Sequence, residues 1–324
     1  MDETYQGFGE IEDQEGAIVD LRNRLREEVQ HFTQLTPRKT YWSILWQWLV
    51  IASAFSSVIY FDHWAVYVGA MVVIAGRQHA LGVLGHDGCH FRISTNRKLN
   101  GFIADIFCWL PIWYTNSRYG YEHLPHHRYV NTDKDPYVAD FKSNPGLIWP
   151  KSKRDGVISL LKHFFGLEII EAGKVSYRTN LLSPVAPSLP RQEKITAVIF
   201  VSLLLLLLWL ANGWLNYLIL WLLPMITITW FAIIVRTIGE HIGMEGFTGI
   251  SETRHVDGSW WERMFFAPCG INYHLAHHIF PAVPWYNLPA LHARLLQEPV
   301  YNQPSRIKKS YFGKSNSVWQ DVTY

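Results

Sequence analysis

The chain has few charged residues and few cysteines for its length. Lys, Arg, Asp and Glu make up only 17% of its 324 residues, against about a quarter in a typical soluble domain. The net charge of +2 excludes the strongly basic footprint of a nucleic-acid-binding protein. Three cysteines (Cys89, Cys108 and Cys269) are odd in number and irregularly spaced, so they predict no disulfide framework.

The N-terminus lacks the features of a secretory signal peptide, because Met1-Asp2-Glu3 is acidic and no apolar core follows. Residues 1–16 are predicted to form a mobile tail. Apolar residues then recur at helical spacing, namely Ile18, Leu21, Leu25, Val29 and Phe32. This pattern predicts an amphipathic helix that lies either on the protein or on a membrane surface. We therefore expect a tail and helix over 1–40 and a single domain over 41–324.

Long apolar runs are what the sequence has in abundance, and 49% of its residues are hydrophobic. The runs cover 42–61, 64–85, 195–211 and 214–235. About 20 helical residues span about 30 Å, which is the thickness of the hydrocarbon layer. The links Asp62-His63 and Asn212-Gly213 are very short, so each pair of runs predicts an antiparallel hairpin. Pro224 inside the fourth run predicts a kink.

The basic residues predict the orientation in the membrane. All 29 Lys and Arg lie in 1–40, in 85–194, from Arg236 onward, or at Arg77, and the two short turns contain none. The positive-inside rule then places both termini and the central segment on the cytoplasmic side. The prediction is an all-α membrane protein with four transmembrane helices in two hairpins, 42–85 and 195–235. Its cytoplasmic helical parts are 86–194 and 236–324.

Eight histidines fall into three tight clusters just beyond the ends of the predicted membrane helices. The clusters are His86 and His90; His123, His126 and His127; and His274, His277 and His278. Spacings of three and four place side chains on one helical face, where two imidazoles can bind one metal ion. Three such faces offer more ligands than one ion takes, so the pattern predicts a dinuclear site. Five other histidines have no partner at metal-binding spacing, and we predict no metal role for them. They are His31, His63, His163, His255 and His292.

The type of ligand limits which metals can bind. Neutral imidazole suits iron, zinc, copper and nickel, and zinc is the main rival to iron. The zinc-protease pattern His-Glu-x-x-His is absent, and a structural zinc site needs only four ligands. Two adjacent metals bound mostly by nitrogen favour oxygen activation by a redox-active pair. The Glu-x-x-His pairs of the usual di-iron bundle are also absent, so the predicted site is of a different type.

The order and spacing of these boxes resemble the membrane fatty-acid desaturase family. The boxes read His-x3-His, His-x2-His-His and His-x2-His-His, and they alternate with two hydrophobic hairpins. The third continues as Asn272-Tyr273-His274-Leu275-Ala276-His277-His278-Ile279-Phe280-Pro281, which is similar to the family's C-terminal signature. The resemblance covers about residues 75–295 and implies a non-haem di-iron centre on the cytoplasmic face. It also implies that O2 and two external electrons are used to remove hydrogen from an unactivated C–H bond.

The resemblance adds His241 as a ninth metal ligand. At two positions the sequence differs from the pattern of the family. Thr237 stands where part of the family has an asparagine that supports a metal through water. Ala276 stands where many relatives have an acidic residue. Since each liganding imidazole needs an acceptor for its other N–H, nearby carboxylates are predicted to support the ligands. The candidates are Asp87, Glu122, Asp135 and Glu240, although Asp135-Pro136 is also typical of a plain turn.

The aromatic segment before the second box predicts a wall for an alkyl chain. Trp109, Trp113 and Tyr114 are the candidates for a substrate tunnel. Anchoring at the membrane interface is an equally good interpretation of each residue.

We expect an oxidoreductase of lipid metabolism that desaturates an acyl chain carried on lipid, coenzyme A or acyl carrier protein. A hydroxylase, ketolase or acetylenase acting on an alkyl or isoprenoid lipid stays open, because the boxes do not separate these outcomes. A metal transporter is disfavoured, because its ligands would lie within the spans. No haem-binding or iron–sulfur motif appears, so a separate ferredoxin or cytochrome b5-like donor is expected. Compact length mildly favours a bacterial cytoplasmic membrane over the endoplasmic reticulum.

Overall fold

The computed structural model describes residues 8–143, 145–168, 170, 173, 180–242 and 253–324. Within these ranges the predicted all-α class is confirmed, and the strands form one short parallel pair in which His255 lies opposite Ile307. The strands are β1 (His255–Val256) and β2 (Ile307–Lys308). The helices are α1 (Phe8–Arg24), α2 (Arg26–Val29), α3 (Pro37–Phe61), α4 (Trp64–Cys89), α5 (Arg97–Ala104), α6 (Asn116–Tyr129), α7 (Pro136–Ser143), α8 (Lys153–Phe164), α9 (Arg191–Leu210), α10 (Trp214–His241), α11 (Trp260–Phe266), α12 (His274–Ile279), α13 (Leu288–Leu295) and α14 (Val318–Val322).

The chain forms two compact units. The first contains Met1–Gln34, Glu122–Val157 and Val235–Tyr324, and the second contains Leu35–Tyr121 and Ile158–Ile234. The single domain over 41–324 stays a prediction.

Four helices are long and apolar enough to cross a membrane, as the four runs predict. They are α3, α4, α9 and α10. The chain reverses between each pair through one residue in the left-handed conformation, Asp62 (φ 39°) or Asn212 (φ 47°); short polar side chains tolerate this region better than most. Pro37 lies in the first turn of α3, where its missing N–H costs no hydrogen bond. The Nδ1 atom of His63 accepts a hydrogen bond from the N–H of Ala65 at the start of α4.

Pro224 does not end α10, although it lies near its middle. Two π-helical turns, Leu218–Leu222 and Met225–Thr229, flank the proline. Proline removes one N–H donor and its ring crowds the preceding turn, and a wider π turn relieves that crowding without ending the helix. The predicted kink is therefore an irregular stretch inside a continuous helix.

The second unit has an apolar core between membrane helices, with a few polar groups buried inside it. Ile51, Ile74 and Leu220 pack in this core. The side-chain amide of Gln78 has hydrogen-bond partners within this core. Its Nε2 donates to the carbonyl of Trp221 (2.8 Å), and its Oε1 accepts from the hydroxyl of Thr229 (2.8 Å). Buried amides without such partners would cost several kcal/mol.

The N-terminal amphipathic helix packs on the protein, which decides between the two predicted locations. Ile18, Leu21 and Leu25 are buried in one cluster with Leu275 and Leu291 of α12 and α13. The predicted tail over 1–16 is wrong for its second half, because α1 begins at Phe8; residues 1–7 lie outside the described residues. The apolar residues of the helix explain why it packs on the protein, since they are buried against the segment that carries the third histidine box.

Candidate metal centre

Helical spacing places the histidine boxes on three helices, as predicted. His86 lies in the last turn of α4 and His90 directly after that helix. The second box lies on α6 and the third on α12, and His241 is the last residue of α10.

Four histidines of the first unit form a closed cluster. They are His126, His241, His274 and His278, and one ring nitrogen from each lies within 4.8 Å of the others. The Nε2 atoms of His241 and His274 are 2.8 Å apart. Every member is buried. Two nitrogens that each lie about 2.1 Å from one ion at a right angle are about 3 Å apart, so the observed spacing fits a shared ion.

Three further histidines of the first unit approach one another through their Nε2 atoms. The Nε2 atom of His127 is 2.9 Å from that of His123 and 3.0 Å from that of His277. These distances fit a second shared ion by the same geometry. The first unit therefore groups seven of the nine predicted ligands into two neighbouring sets, because His127 and His278 also stack with ring centroids 4.2 Å apart.

The first box lies in the second unit. The rings of His86 and His90 are 4.9 Å apart between centroids and nearly perpendicular. Asp87 Oδ1 lies 3.9 Å from His86 Nδ1, which is beyond hydrogen-bonding distance. Cys89 donates from Sγ to the carbonyl of His86, so its thiol serves its own helix.

Asn100 holds the loop that follows the first box, and sequence reasoning missed it. Its Oδ1 accepts from the N–H groups of Ile93 (2.9 Å) and Ser94 (3.2 Å), and its Nδ2 donates to the carbonyl of Gly88 (2.7 Å). Asn100 is fully buried. No local spacing signals this role, because the amide acts on backbone groups across a reversal of the chain.

Two of the four predicted carboxylates approach a ligand imidazole in the first unit. Asp135 Oδ2 lies 2.8 Å from His126 Nδ1, and both side chains are buried. A carboxylate there fixes the proton on Nδ1 and leaves Nε2 as a lone-pair donor. Glu240 Oε1 lies 3.5 Å from His274 Nδ1 and accepts a 2.7 Å hydrogen bond from Arg236 Nε. Glu122 is buried in the same unit.

Burial favours the neutral form of three of the candidate ligands, His274, His278 and His90. Desolvation holds the pKa of His274 well below its usual value, and the neighbouring His241 lowers it further. Desolvation does the same to the pKa of His278, with His127 as the next cause. In the second unit, burial lowers the pKa of His90 to about 4, with a smaller effect from Arg92. Neutral imidazole is the form that binds metal.

The residues fit a bound metal better than an apolar core. Neither ring nitrogen of His278 has a hydrogen-bond partner among the described residues, and its side chain is only 2% exposed. Leaving such a polar ring unsatisfied is costly. Coordination would supply the missing interaction, and nitrogen-rich sets suit iron, zinc, copper or nickel.

The three predicted tunnel residues lie together in the second unit. Trp109 is buried, stacks on Tyr119 with centroids 4.3 Å apart, and packs with Tyr114 around Ala104. The Nε1 atom of Trp113 donates to the hydroxyl of Tyr217 (3.2 Å). These contacts are core packing, and the tunnel role stays a prediction.

A third group of ligand-type side chains lies outside the boxes. His255, Asp257 and His292 of the first unit each offer one ligand atom, all within 4.8 Å of one another. Sequence reasoning left both histidines without a metal partner. The chain brings them together across 37 positions, so only the closely spaced His255 and Asp257 could have given a local signal.

Comparisons with known proteins agree with this arrangement. The sequence model described as "Fatty acid desaturase" matches residues 62–310. The chain is 26% identical over 254 residues to "Dihydrorhizobitoxine desaturase" of Bradyrhizobium elkanii, covering 74% of this chain and 70% of that protein. It is 24% identical over 212 residues to "Beta-carotene ketolase" of Paracoccus sp. (strain N81106 / MBIC 01143), covering 65% and 72%. The family match spans more than half of the chain and includes every histidine box, so this membrane protein belongs to the fatty acid desaturase family.

Proposed function

We propose that this oxidoreductase is an O2-dependent desaturase that introduces a double bond into an alkyl chain at a di-iron centre. The observation that carries the proposal is the buried four-histidine cluster with Asp135 behind His126. Membership of the family supports an oxidative reaction on a lipid-like substrate.

The proposed ligands are the nine predicted histidines. They are His86, His90, His123, His126, His127, His241, His274, His277 and His278. Seven rest on the nitrogen separations in the first unit, and the two of the first box rest on their spacing and on the family match. Two bound iron ions would supply the oxidising power for C–H cleavage with O2 and two electrons.

The side chains of the centre have three tasks. Their imidazoles would present lone pairs to the metal ions, Asp135 holds the Nδ1 proton of His126, and Glu240 Oε1 lies 3.5 Å from Nδ1 of His274. Burial of the cluster excludes bulk water, which protects a reactive oxidant from side reactions.

The remaining parts of the proposal concern substrate, electrons and orientation. An acyl chain on lipid, coenzyme A or acyl carrier protein is the proposed substrate, with Trp109, Trp113 and Tyr114 along its path. A ferredoxin or cytochrome b5-like protein would deliver electrons. The distribution of Lys and Arg supports a centre on the cytoplasmic side. A bacterial cytoplasmic membrane is the proposed location.

A ketolase or hydroxylase is the second candidate. The observation in its favour is the similarity to a protein named "Beta-carotene ketolase". The same type of centre can insert oxygen into a C–H bond instead of removing a second hydrogen, so the two reactions share their ligands.

Mass spectrometry of lipids and acyl groups tests the proposal. Cells that express the chain are compared with cells that express His127→Ala, which removes a nitrogen in contact with two others. A product two hydrogens lighter, absent from the variant, is expected. A product heavier by one oxygen would contradict desaturation and support hydroxylation instead.

His63→Ala is the matched control, because His63 lies in the turn between α3 and α4 and contacts only local groups in the described structure. Near-normal activity and iron content are expected. Iron loss in both variants would contradict the ligand assignment.

A further inference from the structure

The cluster of His255, Asp257 and His292 lies outside the nine proposed ligands. His255 belongs to β1, Asp257 follows that strand, and His292 belongs to α13. The two segments lie on either side of the third box in the sequence. A shared ion that binds His292 together with His255 or Asp257 would therefore join two separate parts of the chain.

The distances within this cluster fit ligands of one ion. His255 Nε2 and Asp257 Oδ1 are 2.8 Å apart, so the two side chains need to separate by only about 0.6 Å to reach the spacing of about 3.4 Å between ligand atoms of a tetrahedral zinc ion. The rings of His255 and His292 stack with centroids 4.0 Å apart and planes inclined by 28°. One ligand atom from each of the three side chains lies within 4.8 Å of the others.

The surroundings prepare the three groups as ligands. His292 Nδ1 is 2.6 Å from the hydroxyl of buried Tyr301, so the opposite nitrogen of that ring is the available donor. Burial lowers the pKa of His292 to about 3, with a contribution from His255, so the ring is neutral at pH 7. Without an ion, Nε2 of His255 donates a hydrogen bond that lowers the pKa of Asp257, so this carboxylate is ionised. A bound ion would take the place of the Nε2 proton.

The exposure of Asp257 and the incomplete hydrogen bonding of His255 also favour a bound ion. The side chain of Asp257 is 58% exposed, whereas that of His255 is fully buried, so the cluster opens to solvent on one side only. His255 Nδ1 has no hydrogen-bond partner among the described residues. The described protein groups therefore satisfy only one of the two ring nitrogens of His255, namely Nε2, through Asp257.

We propose that His255, Asp257 and His292 form a third metal site, separate from the nine-histidine centre, that binds one structural divalent ion such as zinc. Two imidazoles and a carboxylate are a set that zinc accepts, with water as a further ligand. The ion would tie β1 to α13 and so brace the segment that carries the third box. An unfolded chain does not hold these residues together, so metal binding stabilises the fold.

Metal content of the purified full-length protein in detergent tests this site. After equilibrium dialysis against zinc chloride, the wild type is compared with Asp257→Asn, which is nearly isosteric and changes a mostly exposed side chain. The expected result is one zinc ion fewer per chain in the variant, or at least tenfold weaker zinc binding, with unchanged iron content. Asp133→Asn, an exposed aspartate elsewhere in the first unit, should match the wild type.

Equal zinc binding by the wild type and Asp257→Asn would overturn the proposal. Cobalt provides a second readout, because both Asp257→Asn and His292→Gln should lower the absorption of bound Co2+ by the share of one ion per chain. Absorption equal to that of the wild type in both variants would likewise refute the site. Since the readout is a difference of one ion, it is independent of whether the nine-histidine centre holds iron.

Discussion

At the scale of residues, the contact between His126 and Asp135 is the most specific feature of the proposed centre. Asp135 accepts hydrogen bonds from His126 and from the backbone N–H groups of Asn131 and Tyr137. One carboxylate thus orients an imidazole and also fixes the loop after α6. A plain turn after the second box would explain only the two backbone contacts.

Asp135→Asn should therefore weaken the centre without unfolding the protein. An asparagine has a single acceptor oxygen, so its NH2 group must face one of the three donors. Loss of a carboxylate behind a liganding imidazole typically costs about 10–100-fold in metal affinity or activity. Iron per chain and product formation would measure this loss.

Asp133→Asn is the control for that substitution. Its carboxylate is exposed and lies 3.6 Å from Lys142, and a surface ion pair of this kind contributes about 0–1 kcal/mol. Unchanged iron content and activity in Asp135→Asn would contradict the proposed orientation of His126.

At the scale of elements, the end of α4 depends on close contact with Trp109, the last residue of a π-helical turn over Asp105–Trp109. A Cβ atom added at Gly85 would lie 2.5 Å from Cε2 of Trp109. Trp109 is buried and stacked on Tyr119, so its ring has little room to move. Glycine at this position allows the residue before His86 to approach the aromatic ring.

Gly85→Ala should lower stability by about 1–3 kcal/mol, as overpacking of a core does. Activity should fall as well, because α4 positions His86 and His90. Gly69→Ala is the matched control in the same helix, since nothing lies within 4 Å of its added Cβ. Thermal unfolding in detergent compares the two, and equal melting temperatures would refute the packing argument.

The contact of α1 with the third-box segment is a second relation between elements. Leu21 is 1% exposed and belongs to the cluster that includes Leu275 and Leu291. A buried leucine reduced to alanine leaves a cavity that typically costs about 2–5 kcal/mol. Burial of α1 therefore stabilises the histidine segment.

Leu21→Ala should lower the melting temperature and the iron content together. Arg22→Ala alters an exposed neighbour in the same helix. It should leave the iron content unchanged and alter the free energy of unfolding by no more than about 0.5 kcal/mol, as surface substitutions do. A variant that melts earlier but retains all its iron would show that α1 supports the fold and not the centre.

At the scale of the whole molecule, the placement of charge predicts how the chain lies in the membrane. The two short turns carry no Lys or Arg, while the N-terminal segment 1–40 and the two segments with the histidine boxes contain all of them except Arg77. This asymmetry is the pattern of a protein with both termini in the cytoplasm.

Cysteine labelling checks this orientation. A membrane-impermeant maleimide applied to intact bacterial cells should react with Asp62→Cys, and with Lys314→Cys only after permeabilisation. The native cysteines Cys89 and Cys108 are buried and Cys269 is half-buried, so unsubstituted protein gives the background signal. Labelling of Lys314→Cys in intact cells would contradict the predicted topology.

Much of the fold follows from patterns within 30 residues of sequence. The four apolar runs predict the four long helices to within a few residues, except that α10 extends to His241. Helical spacing likewise predicts the histidines on α6 and α12. Such features depend on local periodicity and hydrophobicity, which the sequence carries directly.

The sequence by itself determined the class, the membrane helices, the boxes and the family. Tertiary structure alone decided that α1 packs on the protein, that Asn100 holds the loop after the first box, and that His255 meets His292. These three facts depend on segments that are distant in sequence or on a side chain that bonds to backbone groups. Linear spacing does not encode such contacts, because they arise only when packing of apolar surface brings the segments together.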